Sequence, residues 1–293
     1  MWRAIAGIVV AVLLFVAGKA QAQLHEEDQP RSGWVTAKGG CRIWSLDASP
    51  TRGVSWSGPC KKGVANGKGV VQWYERDRPT EGYQAEFRKG HEYIRGTYLY
   101  ANGERYEGEY VDFLENGHGV YVYANRDRYD GDFRDNRQTG RASYVFASGN
   151  RYEGEFKNGI FNGHGVLVLA TGDRYEGGFK DGVFHSHGVL LLKTGDRYEG
   201  EFINGRQNGR GVYVWASGDR YEGEWRDGHE NGRGVFLSAR GDRYEGQFRD
   251  DLPNGQGSFR SVRGEVYSGT WSSGCFRDGD RRAAFGASLA QCR

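Results

Sequence analysis

This sequence of 293 residues has few prolines, nearly balanced charges and few long apolar runs. Its five prolines and the lack of a Gly-X-Y period exclude a collagen-like chain, although its 48 glycines are abundant. Forty basic residues nearly balance 38 acidic ones. Without residues 1–22, which hold Arg3, Lys19 and no acid, the balance is 38 to 38. At this level no strongly basic surface of the kind that nucleic-acid binding requires is visible, and we predict no nucleic-acid partner.

Motifs that carry chemistry are also missing. The chain has neither the Gly-x-x-x-x-Gly-Lys-[Ser/Thr] loop that cradles phosphates nor a Cys-x-x-Cys metal pair. The serines, histidines and aspartates worth considering as catalytic belong to repeated positions, whereas a catalytic triad needs one unique, oriented set. His118, His164 and His187 share one such position, where an exposed polar turn is a better interpretation than a ladder of metal ligands. We therefore predict no enzyme activity, no cofactor and no metal site.

An apolar run occupies the start of the chain. It extends from Ala4 to Gly18 without a charge, after Arg3, and Ala20-Gln21-Ala22 then gives the small-x-small pattern of a signal-peptidase site. The run is shorter than the ~20 apolar residues of a membrane helix. We predict that residues 1–22 are a cleaved signal and that the protein is periplasmic or secreted. An uncleaved anchor formed by residues 4–18 is the alternative.

What the sequence does have is a tyrosine that recurs every 23 residues. Glycine and aromatic residues at fixed spacing are typical of turn-rich β structure. A fixed period of this length indicates one supersecondary unit stacked many times. The repeated tyrosines are Tyr83, Tyr106, Tyr129, Tyr152, Tyr175, Tyr198, Tyr221, Tyr244 and Tyr267.

Residues 151–173 illustrate the local structure that the sequence of one copy predicts. Residues 151–156, Arg-Tyr-Glu-Gly-Glu-Phe, alternate polar and aromatic side chains as a strand does. Residues 157–163 contain two Asn-Gly pairs, which predict turns, and residues 165–169 are a second β-prone run. Each copy is thus predicted to be a hairpin with aromatic rings on one face and charges on the other. Stacking the hairpins buries the rings in a continuous stripe, which is the only available core.

The predicted fold is therefore all-β: an elongated single-layer solenoid of stacked β-hairpins with a disulfide cap at each end. We expect an N-terminal cap over 23–55, about ten repeats over 56–271 and a C-terminal cap over 272–293.

The four cysteines lie in two close pairs that flank the repeats. An exported protein meets an oxidising compartment, so an even number of cysteines indicates disulfides. Of the three possible pairings we favour Cys41–Cys60 and Cys275–Cys292, because they close short local loops.

The repeated pattern resembles the MORN (membrane occupation and recognition nexus) repeat. Residues 117–123, Gly-His-Gly-Val-Tyr-Val-Tyr, and 129–133, Tyr-Asp-Gly-Asp-Phe, carry it. The resemblance covers about residues 56–271, with a degenerate first copy in which Ala85 replaces the usual glycine. Residues 41–60 also look like the N-terminal cap of secreted bacterial MORN proteins. The resemblance implies scaffolding, self-association or phospholipid binding, and the repeats and caps leave no room for a kinase domain.

One repeat position, expected to lie in a turn, is often basic and is our candidate for contact with a partner or with anionic lipid headgroups. Acids are equally numerous, so local neutralisation is the favoured interpretation of these charges. We predict a non-enzymatic scaffold of the cell envelope that binds a protein partner or itself. Peripheral binding of anionic phospholipid is the alternative. The candidate contact residues are Lys68, Arg95, Arg141, Arg210 and Arg233.

Overall fold

The computed structural model describes residues 32–46, 48–100, 102–286 and 289–292, without the side chains of residues 81 and 83. The predicted signal or anchor at 1–22 therefore lies outside the described residues. Within them the chain is all β, as predicted, and no helix there is long and apolar enough to cross a membrane.

The described chain forms 25 strands. In chain order they are β1 (Gly33–Thr36), β2 (Arg42–Ser45), β3 (Arg52–Trp56), β4 (Cys60–Lys61), β5 (Val64–Ala65), β6 (Gly67–Glu75), β7 (Arg78–Arg88), β8 (His91–Leu99), β9 (Arg105–Val111), β10 (Leu114–Val122), β11 (Arg128–Arg134), β12 (Arg137–Val145), β13 (Arg151–Lys157), β14 (Ile160–Val168), β15 (Arg174–Lys180), β16 (Val183–Leu191), β17 (Arg197–Ile203), β18 (Arg206–Val214), β19 (Arg220–Arg226), β20 (His229–Leu237), β21 (Arg243–Arg249), β22 (Leu252–Arg260), β23 (Val266–Ser272), β24 (Cys275–Asp278) and β25 (Arg281–Ala284).

The chain divides into two compact units. The first unit contains residues 32–147 and 156–159, and the second contains residues 148–155 and those from 160 onward. In the first unit β1, β2, β5 and β4 form a small sheet, while β3 and β6 to β12 pair antiparallel in chain order. In the second unit β14 to β25 pair in the same way. This order is the meander of stacked hairpins that the period predicts.

The two Asn-Gly pairs of a copy have different roles. Asn204 and Gly205 form the tight turn between β17 and β18, with φ values of 50° and 79°, as a type I′ hairpin requires. The second pair was also predicted to turn the chain, and that prediction is wrong. Asn208 and Gly209 lie inside β18, where the register shifts so that Gly209 and Arg210 have no partner on β17. Gly209, with φ of 62°, supplies the left-handed residue of a β-bulge.

The repeat tyrosines form the core. Seven of them, from Tyr106 to Tyr244, are at most 1% exposed, whereas Tyr267 in the last copy is half-buried. The ring of Tyr198 contacts Phe202 of its own strand at 5.1 Å and Trp225 of the next copy at 5.3 Å between centroids, both edge to face. Its hydroxyl donates to the backbone oxygen of Glu201 at 3.1 Å. Each ring thus joins one copy to the next.

A row of glycines lies beneath these rings. Gly200 and Gly211 are paired across β17 and β18. A Cβ at Gly200 would lie 2.5 Å from the Tyr198 hydroxyl and 2.6 Å from the backbone of both Arg210 and Gly211. A Cβ at Gly211 would instead meet the Tyr198 side chain, at 2.4–2.6 Å. Glycine at both positions lets the ring lie directly over the sheet.

An aspartate in the loop between two copies accepts a hydrogen bond from the backbone of the next such loop. Asp219 accepts a hydrogen bond at 2.8 Å from the backbone N–H of Ala239, twenty residues later. Four other aspartates accept the same bond from a backbone N–H twenty residues later, at 2.7–2.8 Å: Asp127, Asp173, Asp196 and Asp242. The Asp that precedes most Arg-Tyr pairs is therefore a fixed part of the repeat.

Both predicted disulfides are confirmed. Cys41–Cys60 and Cys275–Cys292 join Cα atoms 5.8 and 5.3 Å apart. In the second unit the chain after β25 packs Phe285 against Phe236 and Tyr244 of the core. Strand β3 pairs with β6 in the main sheet of the first unit. The expected cap boundary near residue 55 stays a prediction.

Candidate functional site

The candidate basic position lies in strands rather than in turns, which corrects the expectation. These residues lie inside strands, where Lys68 faces Glu86, Arg95 faces Glu109 and Arg210 faces Glu224. Arg233 faces Gln247, and Arg141 is exposed on β12. Because the facing side chain is an acid in three of these pairs, the position does not present an uninterrupted positive stripe.

Many of the remaining outward charges are neutralised within single strands. An arginine beside six of the repeat tyrosines pairs with the acid two residues later, and the side chains of these pairs are 30–59% exposed. Such exposed pairs contribute about 0–1 kcal/mol each. The pairs are Arg105–Glu107, Arg128–Asp130, Arg174–Glu176, Arg197–Glu199, Arg220–Glu222 and Arg243–Glu245.

A second aromatic row lies beside the buried tyrosines in the first unit. Successive ring centroids along it are 4.5–5.9 Å apart. Tyr98 is 54% exposed, and the other rings are half-buried. At four corresponding positions in the second unit the residue is leucine, at 167, 169, 190 and 192. The row consists of Tyr98, Tyr100, Tyr121, Tyr123, Tyr144 and Phe146.

Carboxylates hold the row in place. Tyr100 donates to Glu115 at 2.6 Å, Tyr121 to Glu104 at 2.7 Å and Tyr144 to Asp127 at 2.9 Å. These partners are 15 or 17 residues away in the sequence. These three hydroxyls are therefore engaged with the protein, and their ring faces remain as the contact surface.

Glu115 is the buried acid of this network. Burial raises its pKa to about 7, a rise that the nearby Glu104 carboxylate adds to and the Tyr100 hydroxyl opposes. Glu230 occupies the same repeat position in the second unit, where burial and the nearby Asp251 also raise the pKa of the carboxyl well above its usual value. Gln138 and Gln207 occupy this position in other copies.

We expect Glu115→Gln to alter the pH dependence of stability. An unfolded glutamate has a pKa of about 4.3, so between that value and the folded pKa of about 7 the native state binds more protons at Glu115. Its contribution is fully present below the unfolded pKa and is lost as pH rises through 7. Thermal unfolding at pH 5 and pH 8 should therefore show a smaller fall in Tm for Glu115→Gln than for the wild type. Equal falls would contradict the prediction.

The histidines do not converge on a metal site. His118 lies 3.3 Å from Asp130, while His91 and His229 contact aspartates of the next copy, Asp112 at 2.6 Å and Asp251 at 2.8 Å. Among the described residues there is no group of three His, Cys, Asp or Glu side chains that could hold a metal ion.

The family comparison agrees with this repeat geometry. The family model of the MORN repeat matches seven consecutive segments: 106–128, 129–151, 152–174, 175–197, 198–220, 221–243 and 244–266. These segments cover more than half of the chain. The chain belongs to the MORN repeat family. The matched MORN segments each begin at a repeat tyrosine and exclude the copies before residue 106, where Ala85 replaces glycine.

Other comparisons add little to the MORN assignment. No curated protein matches the sequence. Among solved structures, the TCP domain of Drosophila melanogaster SAS-4, in complex with a proline-rich motif of Ana2, is 11% identical and has a TM-score of 0.33, covering 54% of this chain and 84% of that one. A catalytically inactive virginiamycin B lyase from Staphylococcus aureus with quinupristin is 10% identical with a TM-score of 0.15, covering 67% and 71%. Likenesses this weak support no argument about fold or function.

Sequence reasoning missed the second aromatic row. Its signal was present, because Tyr98, Tyr121 and Tyr144, like Tyr100 and Tyr123, are also 23 residues apart. The dominant tyrosine period obscured it, and the carboxylate partners come from other strands. The five basic candidates are not brought together: Lys68 and Arg95 line one groove of the first unit, whereas Arg210 and Arg233 belong to the second.

Proposed function

We propose that this MORN-repeat protein is an exported, non-enzymatic scaffold of the cell envelope that holds a protein partner on the second aromatic row. The contiguous, partly exposed rings of that row carry the proposal. Tyrosine is enriched among the residues that dominate protein interfaces, because it supplies a large contact area at little entropic cost. The hydroxyl–carboxylate bonds fix the rings before a partner arrives, which lowers the cost of binding.

Export is supported by two independent features. The charge-free run with a small-x-small site at residues 20–22 is typical of a signal peptide. All four cysteines pair in disulfides, which persist in oxidising compartments.

The proposed function is tested by partner capture. The full exported chain is immobilised as the wild type and as Tyr123→Ser/Phe146→Ser, and extracytoplasmic proteins are quantified by mass spectrometry. Leu169→Ser is the matched control, since it removes apolar area at the same repeat position in the second unit. We expect one or more proteins to be enriched by the wild type and by the control, and to fall about tenfold with the double variant. The absence of enrichment, or equal enrichment by the wild type and the double variant, would contradict the proposal.

Binding to anionic phospholipid is tested in a separate experiment. Vesicles containing anionic phospholipid are sedimented with the protein at low and moderate salt. We expect no co-sedimentation, because the basic positions largely face acids across the sheet. Co-sedimentation that weakens with salt, together with a failure to capture protein, would favour the phospholipid alternative.

A further inference from the structure

The ladder between β7 and β8 opens partway along its length. Only three pairs join these strands in the described backbone, from Arg88↔His91 to Glu86↔Tyr93. On its other side β8 pairs with β9 over seven residues up to Leu99↔Arg105. Strand β7 likewise remains paired with β6 as far as Arg78. Two strands that are each held on their outer sides therefore separate from each other.

Ala85 explains where the opening begins. By the repeat, Ala85 and Gly96 stand where Gly200 and Gly211 pair in β17 and β18. A Cβ at Gly200 would lie 2.6 Å from backbone atoms of the facing strand. Ala85 carries that Cβ, and no side-chain rotation can move the backbone it would meet. At Gly96 a Cβ would find none of the described atoms within 4 Å, in agreement with a separation of the two strands there.

Ala142 shows that an alanine is tolerated at the second glycine of the pair, which lies on β12 opposite Gly131. It faces Gly131, and the β11–β12 ladder remains paired on both sides of the bulge. Its repeat equivalent is Gly211, where a Cβ would meet the Tyr198 side chain rather than backbone. A ring can shift by a few tenths of an ångström more easily than a strand can. The effect thus depends on which strand carries the methyl group.

The opening forms a groove of about 490 Å³, a volume within the range of small ligand sites. Val70 and Ile94 contribute apolar surface, and Ala85, which is 7% exposed, adds little. Lys68 and Arg95 supply two cations. Neither cation has an ion-pair partner among the residues that the structure describes. The one acid of the lining, Glu86, pairs with Arg88 at 3.3 Å. Across the sheet Lys68 lies opposite Glu86 and Arg95 lies opposite Glu109. The groove is therefore partly apolar and carries two cations, each with an acid at the facing position.

We propose that this groove, the Ala85 gap, binds an extended segment of a partner protein as an added strand between β7 and β8. Antiparallel strands direct alternate N–H and C=O groups to each neighbour, so both strands present main-chain groups to the gap. Open edges of this kind pair readily with another chain. The segment places an apolar side chain over Ala85 and an acidic one beside Lys68 and Arg95. The inference rests on the proposed scaffold function, and it specifies the class of partner.

The gap itself is tested without a ligand. Hydrogen exchange is followed at the amides of residues 82–85 and 96–99 in the full-length wild type and in Ala85→Gly. We expect rapid exchange on the open sides of both strands in the wild type, and protection in Ala85→Gly because the ladder can close. Equal protection in the two proteins would overturn the inference.

Binding is tested with a defined probe. The probe is a capped peptide of about six residues that alternates valine and glutamate, a typical strand length. We expect it to bind the wild type and to bind Ala85→Gly about tenfold more weakly. The same peptide with lysine for glutamate, or with N-methylated valines that cannot pair, should also bind more weakly. Absence of binding, or equal affinity for the wild type and Ala85→Gly, would overturn the inference.

Partner capture separates the two proposals. If Ala85→Gly retains the captured partner while Tyr123→Ser/Phe146→Ser loses it, the scaffold function stands and the Ala85 gap is not its peptide site. If no variant captures a partner although the probe binds selectively to the gap, the scaffold function fails and the gap stands as a peptide-binding site.

Discussion

Replacing Tyr198 by alanine is expected to cost about 3–5 kcal/mol of unfolding free energy, as truncation of a large buried aromatic side chain does. The Tyr198 ring is 1% exposed and contacts Phe202 and Trp225. Its loss leaves a cavity between two copies that the sheet backbone cannot collapse to fill. Guanidinium unfolding, followed by far-UV circular dichroism and tryptophan fluorescence, measures the effect.

Tyr198→Phe is the matched control for this experiment. It keeps the ring and removes only the hydroxyl that donates to the backbone oxygen of Glu201. The cost of one hydrogen bond is about 1 kcal/mol. Similar losses in the two variants would show that the ring is not the main source of stability and would refute the assignment of the tyrosines as the core.

Alanine at Gly200 is expected to be far more damaging than alanine at Gly211. A Cβ at Gly200 meets the backbone of Arg210 and Gly211, whereas a Cβ at Gly211 meets the Tyr198 ring. Overpacking costs typically 1–3 kcal/mol, and we expect about 3 kcal/mol for Gly200→Ala and about 1 kcal/mol for Gly211→Ala. The same denaturation experiment measures both.

The two glycine variants serve as controls for each other, since they add the same methyl group to the same rung. Hydrogen exchange should show opening of the β17–β18 ladder beyond Gly200 in Gly200→Ala alone. If both variants keep the ladder closed, Ala85 is not the cause of the opening between β7 and β8. Another feature of that degenerate copy must then cause it.

The sequence was most informative where one feature is repeated without change. The period of 23 residues, the alternation in segments such as 151–156 and the Asn-Gly turn specify a hairpin, because local backbone preference and side-chain period point to the same structure. The disulfides followed from position, since each pair of cysteines closes a short loop outside the regular copies. The tyrosines were assignable to the core because they lie on the aromatic face of the strand, together with the aromatic residue four positions later, and the hairpins have no other stripe to bury.

The sequence was least informative where the outcome depends on a neighbouring strand. The second Asn-Gly pair, at 208–209, has the composition of a turn, yet cross-strand pairing on both sides keeps it within β18 as a bulge. The basic candidates accordingly lie in strands rather than in turns, and three of the five lie opposite acids. The second aromatic row depends on carboxylates 15 or 17 residues away, which no local pattern indicates.

The sequence by itself determined the hairpin repeat, the tyrosine core and the disulfide pairing, because each rests on short-range periodicity or on chain position. Only the tertiary structure decided what the irregular copies do. A single methyl group at Ala85 has no local consequence that a sequence pattern reveals. Its effect depends on which backbone atoms lie opposite, 2.6 Å from the equivalent Cβ position in a regular copy, and that distance exists only once two strands have paired.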